Sequence, residues 1–126
     1  MTEPATVDLF VYGTLVPGQR WYDVVERFVV THRPACAHGH LYDTGDGYPA
    51  ATFADDAPEL HGAVLTLRAP TEALPHLDRF EGAEYARVTV RTTDGASVLA
   101  YAWRGDVHRF RRIAGGSWAS SSNSGP

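Results

Sequence analysis

"ARVTVRTTDGASVLAYAW", Ala86–Trp103, is the stretch whose reading decides the fold. Two runs rich in β-branched and aromatic residues flank Asp94-Gly95, a dipeptide suited to a two-residue hairpin turn of positive φ. Strand-like segments continue toward the N-terminus at short intervals: "ELHGAVLTL" from Glu59, the turn and strand of "GDGYPAATF" from Gly45, and "ACAHGHLY" from Ala35. At the start of the chain, "VDLFVY" alternates, with Val7, Leu9 and Val11 on one side and Asp8, Phe10 and Tyr12 on the other, the period of a strand. Two segments break this pattern. "RWYDVVERFVV" places Trp21, Val24, Val25 and Phe28 at i, i+3, i+4 and i+7, which predicts an amphipathic helix of about three turns. "APTEALPHLDRFEG" predicts a short helix, with Pro75 suited to a first helical position and Gly82 to the C-terminal cap.

The expected order is strand, helix, three strands, short helix, then the hairpin and a possible extra strand. Consecutive strands joined by short turns argue for a mixed α+β fold whose sheet is mostly antiparallel. The 126 residues suffice for one domain with a real core. That domain is expected over residues 1–118, with the small, polar residues 119–126 as a disordered tail. Hydrophobic residues make up 44% and charged residues 21%, and the net charge is −4. No basic run is present, so nucleic acid is not an expected partner. The single cysteine, Cys36, excludes a disulfide framework. The beginning of the chain, with Glu3 and Asp8, does not read as a signal peptide, and no apolar run approaches the roughly 20 residues of a membrane span. A cytoplasmic location is expected, and the oligomeric state is not readable.

Glu81 is the unusual residue. Leu74, Leu77 and Glu81 fall at i, i+3 and i+7 on one face of the short helix, with Phe80 beside them. Apolar surroundings and the negative end of the helix dipole would both push its pKa upward, into the range useful for proton transfer near neutral pH. The pattern equally admits a rotated helix with Glu81 solvated at its end. Asp78 lies one position off the apolar stripe and Glu84 follows the cap, so both are weaker candidates. The second unusual segment is "YGTL", Tyr12–Leu15, at the end of the first strand. Gly13 is expected to let the backbone approach a ligand closely, and the N–H groups of Gly13, Thr14 and Leu15 could converge on an oxygen. The glycine-lysine spacing of a phosphate loop is absent.

Together, "YGTL" and "LDRFEGAEY", Leu77–Tyr85, resemble the glutamyl-binding loop and the catalytic-glutamate segment of the gamma-glutamyl cyclotransferase-like family, of its gamma-glutamylamine cyclotransferase and avirulence-induced-protein-like branch. "GHLYDTGDGYPA", "LHGAVLTL", "YARVTV", "AYAW" and "GGSW" follow in the family's order, so the resemblance covers Val7 to Trp118. "GGSW" departs from the acidic Gly-Asp-Trp form at this end. The resemblance implies a small mixed, mostly antiparallel β-barrel with flanking helices. It also implies a gamma-glutamyl cyclotransferase, an acyltransferase or lyase type of enzyme that releases 5-oxoproline and a free amine by intramolecular aminolysis. Glu81 would be the general acid/base, and Tyr12, Gly13, Thr14, Leu15 and Tyr85 would hold a small gamma-glutamyl amine or peptide. That reaction needs no cofactor and no metal.

Two other readings frame this one. The same fold could serve as a non-catalytic module binding a ligand or a protein, or water or another amine could replace the internal amine in a hydrolase or acyl transferase. No second base or Ser/Cys–His pair favours the latter. Cys36, His38 and His40 alternate along one strand, with His61 as a further conceivable donor for a soft metal. This segment matches an ordinary strand of the resembled family, so no metal is expected there. Cys36, without an evident base partner, reads as a buried structural thiol. Trp21, Tyr42, Tyr48, Tyr101 and Trp103 read as core or pocket wall, and the Arg87/Thr89/Arg91 row as a solvated strand face.

Overall fold

Strand β1, Thr6–Val11, runs through the middle of one mixed sheet. The computed structural model describes residues 6–118. The residues expected to form a tail, 119–126, lie outside the described part of the chain. β2 (Val29–Asp43), β3 (Pro49–Phe53) and β4 (Glu59–Arg68) follow β1. Helix α1 (Pro70–Glu81) leads into the hairpin of β5 (Tyr85–Arg91) and β6 (Ser97–Trp103), and a short β7 (Arg111–Arg112) pairs with β2. The order across the sheet is β3-β2-β4-β1-β6-β5. Every pairing is antiparallel except β1 with β6, where Leu9 lies opposite Leu99. A bridge between Ala37 and Thr92, with the Thr93 N–H donating to the Cys36 carbonyl at 2.8 Å, joins the far end of β5 back to β2. The sheet thereby curls into a nearly closed barrel with helix α1 against it.

The alternation in β1 explains the two-sided core. Phe10 and Tyr12 pack with Leu41, Leu60, Val64, Ala100 and Trp118 in one cluster. Leu9 and Val11 face the other way, onto Leu65, Leu67, Val25, Phe28 and the helix residues Ala73 and Leu77. A strand is buried where it has a partner on each edge and a core on each face. Leu9, Phe10 and Val11 are accordingly all buried.

Three local expectations need correction. The predicted helix after the first loop is two single 3-10 turns, Tyr22–Val24 and Glu26–Phe28, and the chain is already extended at Val29. Val24, Val25, Val29 and Val30 are β-branched and restrict helix formation. The pairing of Val29 with Leu67 captures the segment for the sheet. Val25 and Phe28 still reach the core, while Trp21 is 40% exposed. In α1 the first helical position is Pro70, not Pro75, which sits inside the helix and forgoes one intrahelical bond. Gly82, at φ 85°, is the cap as expected. The hairpin turn carries three residues, Thr93–Gly95, between a hydrogen-bonded Thr92 and Ala96. Asp94 is not in the left-handed region and only Gly95, at φ 93°, is, the pattern of a type I turn closed by a glycine bulge. The Thr92 hydroxyl also donates to Asp94, which favours this longer form.

Among the described residues no helix is long and apolar enough to cross a membrane.

Gly62 on β4 lies where β1 gives way to the loop that follows it. A Cβ there would fall 2.0 Å from the Val11 carbonyl oxygen and 3.1 Å from the Phe10 ring. Gly62→Ala should therefore destabilise by at least the roughly 1–3 kcal/mol of an overpacked core site, read as a lower urea midpoint at unchanged slope. A midpoint matching the parent protein would mean that β1 does not depend on this close crossing.

Candidate functional site

The end of β1 opens onto a cavity of about 320 Å³. Its floor is Phe10, Val11 and Tyr12, one wall is Gly13, Thr14 and Leu15, and Tyr48, Pro49, Tyr85 and Tyr101 face them. Glu81 is the one carboxylate in this lining, and Trp21 and Phe80 complete it. Tyr12, Gly13, Thr14, Leu15, Glu81 and Tyr85, widely separated in the chain, thus border one space. Tyr101, Tyr48 and Pro49 add to it. The two tyrosines read from sequence only as core or wall, and Pro49 carries no signal as a local residue because its role depends on what packs against it.

Each element delivers its residue for a local reason. Ala73, Leu77 and Glu81 lie at i, i+4 and i+8 on α1, and the first two are fully buried, so the stripe facing the sheet carries Glu81 inward at its last turn. Phe80, placed on that face by the sequence pattern, is instead 38% exposed. It meets Trp21 edge-on at 6.3 Å between centroids, and these exposed rings form an aromatic rim. The Arg20 guanidinium lies 5.0 Å from the Trp21 centroid. The chain turns back after Gly82, whose carbonyl accepts the Tyr85 N–H at 3.3 Å. Tyr85 then enters β5 opposite Trp103, ring against ring at 5.2 Å.

The loop supplies donors. The Val16 N–H bonds the Gly13 carbonyl at 3.1 Å and the Trp21 N–H bonds the Thr14 carbonyl at 2.9 Å. These bonds fix a turn in which the N–H groups of Gly13, Thr14 and Leu15 have no acceptor among the described residues. Such free donors resemble the first turn of a helix and favour an anionic oxygen. The reason expected for Gly13 changes, however. It does not have a positive φ, and a Cβ there would lie 2.4 Å from Pro49 Cγ and 2.7 Å from Cδ. What approaches Gly13 closely is the Pro49 ring at the start of β3.

The electrostatics turn on where the phenol protons go. Tyr12 donates to the Tyr101 carbonyl at 2.5 Å, Tyr85 to the Pro49 carbonyl at 2.5 Å, and Tyr101 to Asp78 Oδ1 at 2.6 Å. Asp78 also faces Arg87 Nη1 at 3.4 Å, an ion pair on the outer side of Tyr101. Among the described residues, none donates to the Glu81 carboxylate. Burial without a donor pushes Glu81 up to about 7. The helix dipole acts in the same direction. Burial first holds all three phenols protonated; the hydrogen bond to Asp78 comes next at Tyr101, and the charge of Glu81 adds to the effect in each. Glu84 and Asp78 are exposed, in contrast.

The Cys36/His38/His40 row is not gathered as one set. His38 Nδ1 bonds the Ala57 carbonyl at 2.9 Å, and His40 Nδ1 is buried with no hydrogen-bond partner among the described residues. Cys36 is half-buried rather than enclosed, and it does have a basic neighbour: its Sγ lies 3.2 Å from His61 Nδ1. Burial and the charge of Glu59 raise this thiol's pKa, so it is not an activated nucleophile. The Arg87/Thr89/Arg91 row is exposed, as expected.

Known proteins fit this architecture. The family model described as gamma-glutamyl cyclotransferase, AIG2-like, matches residues 9–120. No curated protein matches the chain. Among solved structures, a uropathogenic E. coli-specific protein superimposes with a TM-score of 0.76 at 22% identity, covering 100% of both chains. YkqA from Bacillus subtilis gives 0.73 at 24% identity over 94% of this chain and 44% of its own. An AIG2-like protein from Mus musculus gives 0.65 at 18% identity over 79% and 78%. At these identities the superpositions establish the fold, and the family match spans most of the sequence: the chain belongs to the gamma-glutamyl cyclotransferase, AIG2-like family.

Proposed function

We propose that the protein is a gamma-glutamyl cyclotransferase, with Glu81 as its general acid/base. The observation that carries this reading is a carboxylate inside a small cavity with the hydroxyl protons of Tyr12, Tyr85 and Tyr101 committed elsewhere. A pKa of about 7 suits a group that must take and return a proton near neutral pH. The cavity, about 320 Å³, matches a small ligand such as a glutamyl unit.

The substrate carries its own nucleophile, the α-amine. The free N–H groups of Gly13, Thr14 and Leu15 hold the α-carboxylate. The oxygens of Tyr12 and Tyr85, whose protons are engaged, still accept hydrogen bonds from the ammonium. Glu81 removes one ammonium proton. The amine attacks its own γ-carbonyl, a C–N bond forms, and a tetrahedral oxyanion results. As the bond to the leaving amine breaks, protonated Glu81 supplies that amine with its proton; the ring nitrogen gives up its surplus proton to the regenerated carboxylate, which passes it to solvent, and 5-oxoproline and the free amine depart. Holding the chain folded back on itself contributes several kcal/mol to lowering the barrier. The leaving amine extends past the Trp21–Phe80 rim. No side chain acts as a nucleophile.

The deciding experiment offers a panel of gamma-glutamyl amines and peptides and measures 5-oxoproline and free glutamate. 5-Oxoproline supports the proposal, glutamate indicates hydrolysis, and binding with neither product indicates a non-catalytic module. Glu81→Gln should retain binding and lose roughly 10²–10⁴-fold in rate, whereas Asp78→Asn and Glu84→Gln should cost much less. A Gln variant turning over at the parent rate would remove Glu81 from the chemistry.

Two further outcomes follow from the same site. The parent rate should rise with pH through about 7 as Glu81 loses its proton, and a limb near an ordinary glutamate value would contradict a desolvated base. Stability should change in the opposite sense. Between about 4.5 and 7 the folded chain holds a proton on Glu81 that the unfolded chain has lost, so Glu81 costs stability as pH rises through this window. The urea midpoint of Glu81→Gln should therefore exceed the parent's at pH 8, with the gap closing toward pH 4.5. A gap independent of pH would mean that the carboxylate is solvated.

Gly13→Ala should push the Pro49 ring and, through its carbonyl, the Tyr85 hydroxyl. We expect both a loss of about 1–3 kcal/mol in stability and slower 5-oxoproline formation. Unchanged values of both would show that the Gly13–Pro49 contact does not position the site.

A further inference from the structure

A second set of donor atoms lies on the outside of the barrel. In the β2–β4 register Cys36 stands opposite His61, and Glu59, two residues before His61, shares its side of the sheet. The intervening Ala37 and Leu60 are fully buried in the barrel core, so the three side chains occupy the outer face. Cys36 Sγ is 3.2 Å from His61 Nδ1. One donor atom from each of Cys36, Glu59 and His61 lies within 4.8 Å of the other two. Donors bound at zinc–ligand lengths of about 2.0–2.3 Å in a tetrahedron stand about 3.5 Å apart, so modest side-chain rotations would bring the set together.

We propose that Cys36, Glu59 and His61 form a surface site for one divalent cation of the zinc type, with water completing the coordination. Of the donors considered from sequence, the Cys36/His38/His40 row with His61, two belong to this set, Cys36 and His61. Cross-strand pairing brings His61 to Cys36 and adds Glu59, whereas His38 is tied to the Ala57 carbonyl. Thiolate and imidazole select a borderline or soft ion over magnesium or calcium. Thiolate and carboxylate together balance two positive charges when the imidazole is neutral. The backbone under the site is fixed beyond the ladder itself: the Cys36 carbonyl accepts the Thr93 N–H, and the His61 N–H donates to Gly116, each at 2.8 Å. Binding replaces the thiol proton by the metal and releases that proton to solvent. None of the three residues lines the Glu81 cavity, so this site is separate from the proposed chemistry.

The test uses the full, reduced chain stripped of metal, titrated with Co²⁺ alone and then with Zn²⁺ in competition with a chromophoric chelator. We expect one ion per chain, a thiolate-to-cobalt charge-transfer band, and displacement of that band by Zn²⁺. Cys36→Ser and His61→Ala should each weaken Zn²⁺ binding by at least the roughly 10–100-fold that even an outer-shell partner is worth, while Glu81→Gln binds as the parent does. Absence of the charge-transfer band in the parent protein overturns the proposal. So does parent-like affinity in a folded His61→Ala, which would reduce the site to a lone thiol. Circular dichroism reports whether each variant folds, and the parent titration decides the matter if one does not.

Discussion

Strand β1 has partners on both edges and a core on both faces, and the rest of the molecule is arranged around it. Its antiparallel pairing with β4 and parallel pairing with β6 place the two halves of the chain in one sheet. Its alternating side chains supply Leu9 and Val11 to the helix side and Phe10 and Tyr12 to the barrel interior. A strand held in this way has little freedom until its pairing stops. It stops at Val11, and the next four residues, Tyr12–Leu15, border the cavity. The most constrained element therefore ends in the loop whose N–H groups have no acceptor among the described residues, which is a sound way to hold donors still.

Glu81 depends on that rigidity from the other side. A carboxylate in an apolar enclosure normally acquires a donor, and three phenols are near enough for Glu81 to raise their pKa values. Each phenol is held by an acceptor of its own: two backbone carbonyls and Asp78. Were one of them free to turn to Glu81, the ionised form would gain a hydrogen bond and the pKa would fall. The tyrosine network thus does more than shape the pocket, because it leaves the Glu81 carboxylate without a donor and its pKa raised. The cost is a native state that is less stable with Glu81 ionised than with it protonated.

Steric economy links the two halves of the site. The Pro49 ring fills the space a Gly13 side chain would need, and the Pro49 carbonyl holds the Tyr85 hydroxyl. The loop after β1, the start of β3 and the start of β5 are thereby in mutual contact.

The sequence by itself determined the strand alternation of β1, the positions of β3 and β4, the Gly82 cap and the mixed, mostly antiparallel character of the fold, because each follows from local period or from a residue's own backbone preference. It also singled out Glu81 and Tyr12–Leu15, since a carboxylate on an apolar stripe and a glycine at a strand end are local anomalies. Tertiary structure decided the rest. Val24, Val25 and Phe28 have helical spacing, yet sheet pairing from Val29 onward leaves only 3-10 turns there. Phe80 fits the apolar stripe but lies at the rim against Trp21. Pro49 and Tyr101 acquire meaning only through partners 36 and 89 residues away in the chain. Likewise, Cys36 meets His61 because strand register, which no local pattern specifies, sets them opposite each other. Periodicity says which way a side chain faces along its own element; what it faces depends on how the elements pack.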